Sequence, residues 1–245
     1  INFSERIKIN GTEIDEERVV QLTEKLRSKI QDSRFSEELS KITFFEFTTA
    51  MALLYFAEEG VDIAVMETGM GGRLDATNVI IPLVSVITNI SIEHREFLGD
   101  TLKAIANEKA GIIKDRVPVV TAVEQPSALQ VIESICKEKE ASLYKFGTDF
   151  YFHKKGKDLF SYKGVKDSFD DLRLNLLGGH QFYNASLAIA VIELLGERGF
   201  PAHRDEIYNG LRKVSWPGRL ETVSNEPWII LDGAHNPAGA EVLAK

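Results

Sequence analysis

The chain has little sulfur chemistry to offer. Its single cysteine in 245 residues, Cys136, excludes an intramolecular disulfide and any multi-cysteine zinc site, and such usage fits a reducing cytoplasm. No apolar run approaches the roughly 18 residues that a bilayer span needs. The amino terminus lacks a basic-then-apolar signal pattern, so a cytoplasmic protein without a membrane partner is expected. No long Lys/Arg run offsets the formal net charge of −8, which argues against nonspecific nucleic-acid binding. Repeats and low-complexity tracts are also missing. What remains is ordinary for a globular chain, 44% hydrophobic and 27% charged, and excludes general disorder.

Local patterns predict alternating helices and strands. Asp15 is a plausible N-cap for a helix whose apolar stripe is Val19, Leu22, Leu26 and Ile30. Residues 45–58 are apolar on nearly every side and predict a buried helix ending near Gly60. Apolar runs at Val61–Met66, Leu83–Ile90 and Val117–Thr121 predict strands, and their alternation with helical stretches implies an α/β fold with a mostly parallel sheet. Phe150–His153 and Leu159–Tyr162 read as a hairpin, Leu174–Leu177 as a further strand, and Gln181–Glu193 and 204–213 as helices. Trp216-Pro217-Gly218 interrupts both periods, which places a domain boundary at about 214–218. Beyond it Trp228–Leu231 predicts a new strand.

The most informative segment is Glu67-Thr68-Gly69-Met70-Gly71-Gly72-Arg73-Leu74-Asp75-Ala76-Thr77-Asn78. Three glycines within four residues forfeit side-chain contacts and suit a loop that turns sharply or approaches a ligand. Glu67 would then end a strand, where open α/β sheets place their ligands. A strand-to-helix turn with a solvated Glu is the plainer alternative, and the pattern alone leaves it open.

This loop resembles the signature of folylpolyglutamate synthase and dihydrofolate synthase, members of the ATP-dependent Mur ligase superfamily. Further matches follow in the family's order: Ile92–Gly99, Glu108–Ile112, Gly179–Ala185, Trp216–Glu221 and Asp232–Pro237. The resemblance implies a central ATPase domain of P-loop type over 1–216 and the start of a Rossmann-like C-terminal glutamate ligase domain over 217–245. It implies ATP and Mg²⁺ as cofactors and L-glutamate with dihydropteroate or a folate as substrates. A monomer is implied too.

Site residues carry over position by position. Glu67 and His94 would bind Mg²⁺, and Lys109 would be carbamylated, turning a cation into an anionic ligand. CO₂ adds only to a neutral amine, so the lysine must first lose its proton. The family usually has Asp before this histidine, and this chain has Glu93. Asn184 would contact adenine, with His180 beside it at the start of a helix. Arg219 would reach phosphate, Asp232 the ribose and His235 the phosphates; with Lys109 and His94, Arg219 would take part in catalysis. The pterin-bearing substrate would meet Thr43, Phe45, Asp75 and Ala76, although Phe45 reads equally well as core.

The family's phosphate cradle ends in Gly-Lys-Ser or Gly-Lys-Thr, and the cluster at 69–72 has no following lysine. We therefore expect an internal fragment, inactive alone, whose phosphate loop lies upstream and most of whose second domain lies downstream. Another Mur-type amino-acid ligase and a non-catalytic binding domain are the competing readings.

Overall fold

The computed structural model describes residues 2–32, 37 and 41–244. They group into two compact units, Ile1–Ile80 and Ile81–Lys245.

In the first unit, helix α1 (Glu16–Gln31) starts where the sequence predicts, with Asp15 Oδ1 accepting the Arg18 amide at 2.7 Å. Helix α2 (Phe44–Glu59) begins at a reciprocal cap. The Thr43 hydroxyl accepts the Glu46 amide at 3.2 Å, and Glu46 accepts the Thr43 amide at 2.7 Å. The Thr43 hydroxyl also donates to Glu46 Oε2 at 2.6 Å, and this bond, followed by the one from the Thr43 amide, holds the Glu46 carboxyl below its ordinary pKa. Gly60 ends α2 at φ 64°, a left-handed geometry natural to glycine. Leu22 of α1 and Met51 and Ala52 of α2 enclose a small core with Ile7 and Ile14. Arg18 ties the two helices through Glu58 at 2.6 Å. The α2 helix is less buried than its composition suggests, since Phe44 remains exposed.

The strand expected at Val61–Met66 does not form. A strand exists by pairing its N–H and C=O groups with a neighbour. Among the described residues of this unit, the strands are β1 (Lys8–Ile9) and β2 (Thr12–Glu13), which pair with each other. Val65 consequently stands 94% exposed.

The second unit holds a parallel sheet in the order β3 (Ser85–Ile87), β4 (Val119–Thr121), β5 (Leu143–Lys145). The apolar runs thus contribute three paired residues each. Helices α3 (Arg95–Leu98) and α4 (Leu102–Ala110) connect β3 to β4, and α5 (Pro126–Glu138) connects β4 to β5. Ile105 of α4 and Ala128 and Ile132 of α5 pack with Ile87 and Val119 in one cluster. Central β4 is buried throughout, as parallel strands covered by helices are. Cys136 lies in this cluster, and burial pushes its thiol up to about 11, which makes it inert.

An antiparallel sheet follows: β6 (Tyr151–Lys154), β7 (Leu159–Lys163) and β8 (Ser168–Arg173). The β6–β7 hairpin matches expectation. The third strand is Ser168–Arg173, whereas Leu174–Leu177 forms none. Helix α6 (His180–Gly196) packs on β4 and β6 and joins a core with Phe150, Phe160, Tyr162 and Phe169.

Glu193 of α6 is a buried carboxylate whose oxygens accept four hydrogen bonds. The donors are the Tyr162 hydroxyl at 2.8 Å and the amides of Val165, Lys166 and Asp167 at 3.1, 3.3 and 2.8 Å. Burial, and then the Glu193 charge, push the Tyr162 hydroxyl's pKa far upward. The unit ends with α7 (Arg204–Lys213), the hairpin β9 (Glu221–Asn225) and β10 (Trp228–Leu231), and α8 (Pro237–Leu243). The stretch 214–218, expected as a boundary, links α7 to this hairpin within the second unit.

Candidate functional site

In the first unit the glycine-rich loop is organised by Asp75. One carboxylate oxygen accepts the amides of Gly69 and Met70 at 2.8 and 2.9 Å. The other accepts the amide and hydroxyl of Thr77 at 3.0 and 2.6 Å, capping a short 3-10 turn over Ala76–Val79. Gly71 sits at φ 66°. Gly69 is required by contact, because a Cβ there would lie 2.7 Å from the Phe45 ring. Phe45 therefore packs on the loop, and Thr43 caps the helix that carries it. Glu67 opens the loop with its side chain exposed. It follows unpaired chain and not the end of a strand, which corrects the expected setting.

In the second unit His94 has φ 46° and ψ 43°, a left-handed conformation uncommon for residues other than glycine, though histidine adopts it more readily than most. Its carbonyl accepts the amides of Phe97 and Leu98 at 2.9 Å, so α3 holds it in that geometry. Lys109, in the last turn of α4, has its Nζ 3.0 Å from Glu93 Oε1. Among the described residues no three His, Cys, Asp or Glu side chains cluster to hold a metal. Magnesium does not require such a cage, since it takes one or two carboxylates and completes its shell from water and phosphate.

The clearest constellation surrounds the start of α6. Gly178 has φ 103°, and a Cβ on it would lie 2.6 Å from Cε1 and 2.8 Å from Nδ1 of His180. The bare glycine thus lets the imidazole lie against the backbone. Gln181 Nε2 meets His180 Nε2 at 2.9 Å, and Asn184 Nδ2 donates to Gln181 Oε1 at 3.0 Å. From the β9–β10 segment, Asp232 accepts the Leu220 amide at 2.9 Å and the Ala234 amide at 2.8 Å. The Leu220 bond is the main reason its carboxyl lies below the ordinary value. Arg219 Nη1 rests against Gly233, whose amide donates to the Gly218 carbonyl at 2.8 Å. His235 Nδ1 lies 2.8 Å from the Gly233 carbonyl.

His180 senses both charged neighbours. Burial pushes its pKa down, Asp232 pushes it up and Arg219 down again. The structure therefore brings His180, Asn184, Arg219, Asp232 and His235 into one part of one unit. Sequence reasoning set Gln181 with His180 and Asn184 at a helix start that favours polar ligands but gave it no contact of its own; its burial between two polar neighbours points to one.

Residues 14–192 match the model of the Mur ligase middle domain, well over half of the chain. The chain belongs to the Mur ligase middle-domain family. Among curated relatives it is 42% identical over 252 residues to the dihydrofolate synthase/folylpolyglutamate synthase of Bacillus subtilis, covering 100% of this chain and 58% of that protein. It is 36% identical over 249 residues to the folylpolyglutamate synthase of Lacticaseibacillus casei, covering 99% and 58%. The Mur ligase fold extends to solved structures. A folylpolyglutamate synthase complex with AMPPCP and folate aligns at TM-score 0.92 and 36% identity, over 99% of this chain and 60% of that one. The Mycobacterium tuberculosis enzyme complexed with ADP and AMPPCP aligns at TM-score 0.91 and 36% identity, over 98% and 56%. The chain spans about 58% of the length of the two curated relatives.

Proposed function

We propose that the protein is an ATP-dependent ligase that joins L-glutamate to dihydropteroate or to the γ-carboxylate of a folate. The observation that carries this reading is the convergence of His180, Asn184, Arg219, Asp232 and His235 in a Mur ligase chain similar to folate-glutamylating enzymes. Residues 1–216 would form the ATPase domain and 217–245 the start of the glutamate ligase domain. A monomer in the cytoplasm fits this assignment.

The reaction begins with transfer of the γ-phosphoryl group of ATP to the acceptor carboxylate. The glutamate amine then attacks the acyl phosphate, forming the amide and releasing phosphate beside ADP. Asn184 meets adenine, with His180 next to it. Asp232 has given two acceptor positions to backbone amides and keeps others for ribose hydroxyls. Arg219 offers a planar fork of paired donors to phosphate, and His235, whose Nδ1 lies 2.8 Å from the Gly233 carbonyl, would meet the phosphates too. A preorganised cation such as Arg219 stabilises charge that spreads over the transferring group.

Glu67 and His94 would hold Mg²⁺ with the nucleotide phosphates, where the ion neutralises negative charge. Carbamylation of Lys109 would exchange its pairing with Glu93 for an anion, so the ion pair opens before the modification. For the second substrate, Thr43, Phe45, Asp75 and Ala76 mark the region. The internal hydrogen bonds of Asp75 support a part in shaping the loop, with the Phe45 face and neighbouring backbone meeting the ring.

The test uses the full-length protein. Glutamate addition to dihydropteroate and to folates is compared with addition to UDP-linked acids, and turnover only on the latter would assign a different Mur-type ligase. Lys109→Ala should abolish turnover while leaving the fold intact. Near-normal activity in Lys109→Arg, which keeps the charge but cannot form a carbamate, would remove the carbamate from the mechanism.

A further inference from the structure

Gln181 is 6% exposed in the first turn of α6, and both ends of its amide are engaged by side chains. An amide nitrogen only donates. With Gln181 Nε2 at 2.9 Å from His180 Nε2, that ring nitrogen must accept, and the neutral imidazole carries its proton on Nδ1. At the other end Gln181 Oε1 takes one N–H of Asn184 at 3.0 Å. Asn184 Oδ1 and its second N–H are then left for a ligand. His180 Nδ1 is buried without a hydrogen-bond partner in the described structure.

The two amides can reverse only together. Turning Gln181 over would place Oε1 against His180 Nε2, which must then carry a proton. It would also place Nε2 against Asn184, which must answer with Oδ1. The network has two self-consistent states and no mixed one. Burial of the ring favours its neutral form, and the charged groups that act on it, Asp232 and Arg219, push in opposite directions.

We infer that Gln181 is a positioning residue that sets the amide orientation of Asn184 and the tautomer of His180 together, and so selects the base of the nucleotide. In the observed state Asn184 offers an acceptor beside a donor. That pair fits the N6 amino group and N7 of adenine, whereas guanine presents two acceptors on the same edge. The inference rests on the reading that Asn184 meets the base.

The experiment uses the full-length protein. Gln181→Met keeps the length of the side chain and removes both hydrogen bonds. It should raise the KM for ATP about tenfold with kcat within about twofold, and lower the preference for ATP over GTP in kcat/KM about tenfold, the size of one hydrogen bond. Gln181→Glu still accepts from Asn184 but cannot donate, so nitrogen-15 NMR should show His180 moving from the Nδ1-protonated form to one protonated at Nε2. An unchanged ATP preference in folded Gln181→Met, or unchanged His180 signals in Gln181→Glu, overturns the proposal. If the Met variant does not fold, the Glu spectrum decides. Asn184→Ala separates the two levels. A wild-type KM for ATP in that variant removes the base contact and the proposal with it, whereas a raised KM beside an unaltered Gln181→Met removes only the role of Gln181.

Discussion

Asp75 and Asp232 close two loops by the same device, a carboxylate that gathers backbone amides from separate points along the chain. They differ in what is left over. Asp75 receives four donors and has satisfied the roughly four lone-pair sites that a carboxylate offers. Asp232 receives two and faces His180 and Arg219. One carboxylate is architecture, and the other keeps capacity for a ligand. The residue type is the same in both loops, so its role follows from how many donors the surrounding chain supplies.

The strongest test of this contrast is removal of Asp75. Asp75→Ala leaves the Gly69 and Met70 amides and the buried Thr77 without their acceptor. We expect a loss of about 2–3 kcal/mol in urea unfolding. A variant as stable as wild type would show that the loop does not depend on its carboxylate.

Asp232→Ala should read out in function first. In the full-length protein we expect the KM for ATP to rise about tenfold, corresponding to about 1.4 kcal/mol, with a smaller stability loss than for Asp75→Ala. Arg219→Ala should instead lower kcat. Equal stability losses in the two Asp variants, with ATP kinetics unaltered in Asp232→Ala, would erase the distinction. A sharper version uses the 245-residue chain by itself, which contains no Gly-Lys-Ser or Gly-Lys-Thr. Calorimetry should find that it binds Mg-ATP weakly, and micromolar affinity would place the phosphate site within these residues.

The smallest expected effect is on pH dependence. His180 has its folded pKa below 6.5, and Asp232 below 3.8. In both cases the unfolded chain takes up the proton first as pH falls. Each group therefore contributes stability that is present above its unfolded value and lost as pH drops through its folded one. His180→Phe should remove the upper step, below about pH 6.5, and leave the carboxylate step. A denaturation midpoint that falls equally between pH 7 and 5 in both proteins would assign the loss elsewhere.

Helices were legible from local signals: Asp15 before Val19 and Leu22, the apolar run 45–58 that stops at Gly60, and the amphipathic α7. Strands were less so, because a strand also needs a partner that the local pattern does not contain. Val61–Met66 has the composition and no pairing. Ser168–Arg173 has the pairing and a disguised pattern: Phe160 pairs with Leu172 and Tyr162 with Phe169, so one extra residue bulges, and Asp171 takes φ 54°. Its two buried residues therefore stand three apart and break the period of two. The residues around His180 were named from resemblance and from their places at a helix start and beyond a strand. Their coupling through Gln181 was not, since it depends on rotamers and on which amide atom faces which neighbour.

The buried Glu193 ties a surface turn to the interior. Turn amides ordinarily exchange with solvent through small local openings. Those of Val165, Lys166 and Asp167 are bound to a side chain rooted in α6, the helix that begins at His180. In deuterium their protection should follow the opening of that helix. A three-residue bend at the edge of an antiparallel sheet thus becomes a gauge of how firmly the helix under the candidate nucleotide site is held.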